Sequence, residues 1–124
     1  MKAIVIDDSR ATRLILKRTL TAQGFDVIEA GDGRQAVEEL EKCGPVDLAL
    51  VDWNMPVMTG YEFIVEIRSR DTFSSMSIMM VTTETETSQV QLALNAGANE
   101  YIMKPFTEEI LKEKLMLLGL GQDS

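Results

Sequence analysis

The alternation of short apolar runs with amphipathic segments constrains the fold of this chain more than any other feature of its sequence. Five runs have the length and composition of buried strands, and they occupy residues 3–6, 26–30, 48–51, 77–81 and 100–103. A segment with helical spacing follows each run, at residues 9–23, 33–43, from 61, 87–96 and from 107. Gly24, Gly44 and Gly97 follow three of these segments, as is typical of helix C-termini.

Strand–helix alternation with short connections predicts a parallel sheet that carries helices on both faces, with right-handed crossovers. Five such units indicate an α/β protein with the flavodoxin-like doubly wound (βα)5 fold, in which the strand order is 2-1-3-4-5. The 124 residues suit one domain, 1–124, with a core of about 2–118 and a tail at 119–124 that we expect to be frayed.

Helical spacing also assigns inner and outer faces to the first two helical segments. The inner face of the first is predicted to contain three aliphatic residues and two threonine methyl groups, from Ile15, Leu16, Leu20, Thr12 and Thr19. Its outer face is basic, with Arg10, Arg13, Lys17 and Arg18. In the second segment, one face is predicted to contain Ala36, Val37, Leu40 and Cys43.

The composition excludes several classes of function. A net charge of −8 argues against a nucleic-acid or anionic-membrane surface and suits a protein that holds cations. With one cysteine, Cys43, and no histidine, a zinc site is not expected, and histidine-based catalytic triads are excluded. No signal peptide or transmembrane stretch is recognisable, so we expect a cytoplasmic protein, with no DNA-binding module after Leu118.

Polar residues follow the predicted strands where each one leaves the core. The first strand ends in Asp7 and Asp8, the third in Asp52, the fourth in Thr82 and the fifth in Lys104. Parallel strands deliver their carboxyl ends to one edge of the sheet, where ligands of such folds bind. Three converging carboxylates repel one another unless a cation lies among them. Mg²⁺ is the expected ion, because it prefers oxygen ligands and binds through one or two carboxylates.

Asp52 is the candidate nucleophile of this constellation. A carboxylate can attack phosphorus and form an aspartyl phosphate. Phosphoryl transfer requires in-line positioning and neutralisation of the charge on the equatorial oxygens. A magnesium ion, the ammonium of Lys104 and the hydroxyl of Thr82 would provide that neutralisation.

These residues resemble the receiver domain of two-component response regulators. The motifs that carry the resemblance are Asp7-Asp8, the sequence Asp-Trp-Asn-Met-Pro at 52–56 with Gly60, Thr82, and Lys104-Pro105-Phe106. The match extends over about residues 2–118. The 52–56 sequence and Tyr101 make the single-domain, CheY-like chemotaxis regulators the nearest members.

The resemblance implies specific roles at the site. Asp52 would accept a phosphoryl group from a phosphohistidine of a histidine kinase or a histidine phosphotransfer domain. Asp7 and Asp8 would bind Mg²⁺ together with Asp52 and the backbone carbonyl of Asn54. Lys104 would pair with the phosphoryl oxygens, through a cis peptide bond to Pro105.

The resemblance also implies a switch and an output surface. Thr82 would move to hydrogen-bond the phosphoryl group, and Tyr101 would turn inward after it. The surface formed by the fourth helix, the fifth strand and the fifth helix would then bind a target, such as a flagellar motor switch protein. The protein would not be an enzyme in the usual sense, because it would catalyse only its own phosphorylation and dephosphorylation.

Other functions remain open on the same residues. A phosphorelay intermediate would pass its phosphoryl group to a histidine phosphotransfer protein, and the basic first helix mildly favours this role. A Mg-dependent aspartyl phosphohydrolase would need an Asp-x-Asp arrangement after the first strand, whereas Asp7 and Asp8 are adjacent. A flavin or nucleotide carrier would need a phosphate-binding loop there, and these two carboxylates would repel phosphate.

Three residues flank the predicted site. Thr83 stands where many receivers have a smaller residue, and we expect it to crowd access to Asp52 and to slow phosphorylation by small donors. Asn54 and Glu84 are expected to influence how fast water removes the phosphoryl group.

Overall fold

The computed structural model of the protein describes residues 1–83 and 87–120. Within these ranges the strands are β1 (Lys2–Ile6), β2 (Asp26–Ala30), β3 (Leu48–Asp52), β4 (Ser77–Thr83) and β5 (Glu100–Lys104). The helices are α1 (Arg10–Ala22), α2 (Gly33–Cys43), α3 (Gly60–Arg68), α4 (Thr87–Ala96) and α5 (Glu108–Leu117), with a short 3-10 helix at Asp71–Phe73.

All five strands pair in parallel, in the order β2-β1-β3-β4-β5. This confirms the predicted flavodoxin-like fold and its strand order. Ile6 lies beside Val51, and Asp52 lies beside Val81, so β1, β3 and β4 end at nearly the same height. The loops that follow these strands therefore meet at one edge of the sheet.

Two hydrophobic layers enclose the sheet. Alternation of side chains along β1 sends Ile4 and Ile6 to the face covered by α2, α3 and α4, and Ala3 and Val5 to the face covered by α1 and α5. β3 is buried along its whole length, as expected for a central strand covered on both faces. A rigid double layer thus holds the carboxyl end of β3, where Asp52 lies.

Side-chain caps fix where the helices begin after the loops. The side chains of Ser9, Asp32, Thr59 and Thr107 each accept a hydrogen bond from the backbone N–H three residues later. At α3 the carboxylate of Glu62 also accepts from the N–H of Thr59, which completes a capping box. All four caps lie at the carboxyl edge of the sheet, in the loops after β1, β2, β3 and β5.

Two predictions about helix faces are wrong. Ile15 is 60% exposed, because the inner stripe of α1 is formed by Leu16 and Leu20, and Ile15 is rotated about 100° away from it. Cys43 is also exposed, because it lies in the last turn of α2, beyond the last buried residue, Leu40. The predictions for β4 and β5 were also too short. They end at residues 81 and 103, whereas the strands continue to Thr83 and Lys104.

The C-terminal end is described as far as Leu120. Gly119 adopts a φ of 75°, and the N–H of Leu120 donates to the carbonyl of Leu115 (2.9 Å), which closes α5 with a Schellman motif. Residues 121–124, part of the tail that we expected to be frayed, lie outside the described residues. In the part of the chain that is described, no helix has both the length and the apolar character needed to cross a membrane.

Candidate functional site

The carboxyl edge of the sheet gathers three carboxylates. Asp7 and Asp8 directly follow β1, and Asp52 is the last residue of the adjacent strand β3. One oxygen from each carboxylate lies within 4.8 Å of the other two. Residues 44 positions apart in sequence thus form one acidic cluster, as the strand ends predicted.

In the described part of the chain, one ammonium group lies among these carboxylates. Lys104, the last residue of β5, has its Nζ 3.2 Å from Asp7 Oδ2 and 3.7 Å from Asp52 Oδ2. The peptide bond from Lys104 to Pro105 is cis, as the resemblance implied. One cation facing three carboxylates leaves the cluster with an excess of negative charge.

Burial divides the cluster into an inner and an outer part. Asp7 is 1% exposed and Asp52 is 8% exposed, whereas Asp8 is open to solvent. The pKa of Asp52 is raised to about 6, first by burial and then by the charge of Asp7, while Lys104 and the backbone N–H of Asn54 oppose the shift. The central carboxylate therefore holds its negative charge only against a substantial electrostatic cost.

The backbone of Asp7 is held on both sides. Its N–H donates to the carbonyl of Ala30 (3.1 Å), and its carboxylate accepts from the N–H of Ser9 (2.8 Å). The guanidinium of Arg13 donates to the Asp7 carbonyl and contacts Glu29 through Nε. Helical spacing predicted Arg13 on the basic outer face of α1 and did not predict its contact with Asp7, for which the only sequence signal is a basic residue six positions after Asp7.

Gly60 allows α3 to start close beside Asp52. A Cβ atom at this position would lie 2.5 Å from the backbone oxygen of Asp52 and 2.9 Å from the Cα of Trp53. The N–H of Gly60 also donates to the carbonyl of Trp53 (3.1 Å). Only glycine fits this approach, which fixes the loop that carries Asn54 beside the cluster.

The remaining predicted residues lie around this centre. Thr82 is buried near the end of β4, and Asn54 is exposed in the loop after β3. Thr83 is exposed and lines a groove together with Thr12, Ile15, Leu16, Lys104, Pro105 and Phe106. Tyr101 is half-buried on β5, two strands away from Asp52. Glu84 lies outside the described residues.

The donor set of the cluster fits a magnesium ion. Three carboxylates within reach of one another supply the hard oxygen ligands that Mg²⁺ prefers, and exposed Asp8 leaves room for the water molecules that the ion keeps. The excess negative charge and the raised pKa of Asp52 are both features that a divalent cation would relieve.

Comparison with known proteins agrees with this geometry. Residues 3–116 match the model of the response regulator receiver domain. The chain is 47% identical to a chemotaxis protein CheY homolog of Campylobacter jejuni over 98% of this chain and 95% of that protein.

Solved structures give the same result. The chemotaxis response regulator CheY4 of Vibrio cholerae superposes with a TM-score of 0.87 at 36% identity, over 94% of this chain and 97% of that one. The receiver domain of a sensor histidine kinase from Pseudomonas aeruginosa PAO1, with a magnesium ion coordinated in its active-site cleft, superposes with a TM-score of 0.82 at 27% identity, over 95% and 97%. The chain therefore belongs to the response regulator receiver domains of two-component systems, among their CheY-like members.

Proposed function

We propose that this protein is a signalling switch that is activated by phosphorylation of Asp52. A carboxylate oxygen of Asp52 attacks the phosphorus of a phosphohistidine on a histidine kinase or a phosphotransfer domain. The P–N bond breaks, and the imidazole leaves with the bonding electron pair and takes up a proton. The observation that carries this proposal is the nearly buried Asp52 at the centre of an acidic cluster that contains one lysine.

The neighbouring residues have separate parts in this reaction. Asp7, Asp8, Asp52 and the backbone carbonyl of Asn54 would hold Mg²⁺, which would neutralise charge on the phosphoryl oxygens. Lys104 now pairs mainly with Asp7, and its ammonium is close enough to turn toward the phosphoryl group on Asp52. The Thr82 hydroxyl donates to a second phosphoryl oxygen. Asn54 and Glu84 influence the attack of water that removes the group.

The output is a change on the surface formed by α4, β5 and α5. When the Thr82 hydroxyl turns toward the phosphoryl group, it vacates space into which the ring of Tyr101 turns. Tyr101 lies beside Met80 of β4, and Thr82 lies two positions further along β4, so Thr82 and Tyr101 belong to neighbouring paired strands. The CheY names of the relatives support a role in chemotaxis, with a flagellar motor switch protein as the target.

A second candidate function is that of a phosphorelay intermediate. The groove that runs from α1 to the loop after β5 passes Thr83 and Lys104, next to the cluster. Ile15 is exposed at this groove, and the exposed Arg18 lies three positions further along α1, on the same side of the helix. Such a surface suits a helix of a histidine phosphotransfer protein that receives the phosphoryl group back from Asp52.

Labelled phosphoryl transfer tests both functions. Purified protein with Mg²⁺ is incubated with labelled acetyl phosphate or a labelled histidine kinase, and we expect an acid-stable, alkali-labile label that Asp52→Asn abolishes. The matched control is Asp71→Asn, which removes an exposed carboxylate from the opposite end of the sheet and should leave labelling unchanged. No label on the wild-type protein would refute the proposal. Transfer of the label from Asp52 to a histidine phosphotransfer domain would favour the relay over the chemotaxis switch.

A further inference from the structure

A lysine of α5 covers the ring of Tyr101. The Nζ of Lys114 lies 4.4 Å from the ring centroid, within the range of a cation–π interaction. The Lys114 side chain is 23% exposed, so this contact is partly shielded from water, which strengthens it. The ring and the ammonium thus stabilise each other in the position that the structure shows.

Glu100 fixes both partners of this contact. Its Oε1 lies 3.1 Å from the Nζ of Lys114 and also accepts a hydrogen bond from the backbone N–H of Tyr101 (2.9 Å). The Glu100 side chain is 19% exposed. One carboxylate oxygen therefore anchors the ammonium directly over the ring of the next residue.

We propose that Lys114 and Glu100 are positioning residues that hold Tyr101 in its half-buried resting position. This inference rests on the proposed function, in which the ring turns inward after phosphorylation. Inward rotation has to separate the ring from the ammonium, so the pair opposes activation. It sets the fraction of molecules that adopt the active arrangement before any phosphoryl group arrives.

The contact is not needed to hold α5 on the sheet. Leu111 and Leu115 are both fully buried and attach the helix to its core layer. The Thr107 side chain caps the first turn, and the Schellman motif closes the last. Replacing Lys114 should therefore leave the fold intact and act on the ring of Tyr101.

Accessibility of the Tyr101 ring to a soluble paramagnetic probe tests the proposal by NMR. Tyr61 and Tyr101 are the two tyrosines of the chain, so a Tyr61→Phe background with labelled tyrosine reports on Tyr101 alone. In Lys114→Met, without a phosphodonor, we expect the relaxation enhancement of the ring to fall several-fold because the ring turns inward. Glu100→Gln should give a smaller fall in the same direction.

Matched variants separate positioning from general effects. Lys114→Arg keeps a cation over the ring and should retain the wild-type value, whereas Lys112→Met removes a more exposed lysine of the same helix and should change nothing. Unchanged or increased accessibility in Lys114→Met would overturn the proposal. That result is expected if Lys114 only shields the ring from solvent and does not determine its orientation.

The same measurement distinguishes a failure of the proposed function. Wild-type protein given acetyl phosphate and Mg²⁺ should show reduced accessibility of Tyr101, and Asp52→Asn should not. If the wild-type ring did not respond, the proposed switch would be wrong. The result for Lys114→Met without donor would still decide whether Lys114 positions the ring.

Discussion

The two ends of the sheet each contain a partly buried cation, but they surround it with different partners. At the amino ends of β4 and β5, the guanidinium of Arg68 donates to the carbonyl of Gly97 (2.9 Å), to Asn99 Oδ1 (2.8 Å) and to the carbonyls of Phe73 and Ser74. At the carboxyl ends, the ammonium of Lys104 faces three carboxylates.

The difference separates stability from function within one sheet. Neutral acceptors around Arg68 satisfy its fork of donors and join α3, the short 3-10 helix and the loop before β5. Around Lys104 the charges do not balance, and burial raises the pKa of Asp52 to about 6. At the amino end, the guanidinium of Arg68 is therefore matched by neutral acceptors. At the carboxyl end, a further cation or a proton would stabilise the cluster, because its negative charge exceeds the charge of Lys104.

The largest effect on stability is expected at the amino end of the sheet, around Arg68. Arg68→Met should lower the free energy of unfolding by about 3 kcal/mol, because it removes the side-chain donor from three carbonyls and one of the two donors from Asn99 Oδ1. Urea unfolding measures this change. Mg²⁺ affinity, followed by Trp53 fluorescence, should stay unchanged because the site lies at the other end.

Arg70→Met is the matched control for this prediction. Arg70 pairs with Glu41 and Glu66 at the surface, so its loss should have little effect on unfolding. An Arg68→Met protein as stable as Arg70→Met, or one with impaired Mg²⁺ binding, would contradict the division between the two ends.

Removing the charge of Asp52 at the carboxyl end of the sheet should instead raise the free energy of unfolding. Asp52 has a pKa of about 6 in the folded protein, against an ordinary value of 3.8. The folded state therefore binds this proton more tightly than the unfolded chain. The stabilisation is fully present below the ordinary pKa and is lost as the pH rises through 6.

Asp52→Asn should thus stabilise the metal-free protein at about pH 8 by about 2 kcal/mol and flatten its stability between about pH 4 and pH 7. Urea unfolding in a chelator at several pH values measures both effects, with Asp71→Asn as the exposed control. Mg²⁺ should stabilise the wild-type protein more than the variant. A variant less stable than the wild type at high pH would show that the cluster is not strained by its charge.

Backbone strain gives a third contrast between the two ends. Val57, in the loop after β3, adopts a φ of 67°, which a β-branched residue rarely does. At the amino end, the positive φ of 124° belongs to Gly97, beside Arg68. Val57→Asn should raise the free energy of unfolding by about 1 kcal/mol, because asparagine tolerates this conformation better.

Gly97→Ala provides the comparison, since a Cβ atom there would lie 2.6 Å from Arg68 Cγ and meet an unfavourable φ. This variant should be destabilised. Urea unfolding of both proteins checks the pair. If Val57→Asn were also destabilised, the strain in the loop after β3 would be offset by contacts of Val57 itself, although the side chain is 79% exposed.

The same comparison explains what could be predicted from the sequence. The acidic cluster was predictable because a parallel topology turns the residue after each strand into a neighbour of the others, so Asp7, Asp52 and Lys104 could be assigned from strand order alone. Arg68 could not, because its partners come from two short segments, residues 73–74 and 97–99, whose paths follow no periodicity. Ile15 was assigned to the wrong face of α1. Helical spacing alone does not show whether an aliphatic residue at the edge of a buried stripe faces the core or the solvent.

The smallest effect concerns the access of a small phosphodonor to Asp52 at the carboxyl end of the sheet. Thr83 is exposed at the end of β4 and lines the groove beside Lys104. Truncation of its side chain in Thr83→Ala should speed phosphorylation of Asp52 by acetyl phosphate about twofold to threefold, which corresponds to about 0.5 kcal/mol in the barrier. Stopped-flow Trp53 fluorescence measures the rate, and urea unfolding should show little change.

Thr72→Ala makes the same truncation at an exposed position near the amino end and should leave the rate unaltered. Equal rates for Thr83→Ala and the wild-type protein would mean that Thr83 does not restrict the path of a small donor, and that the openness of this edge is set by the loops alone.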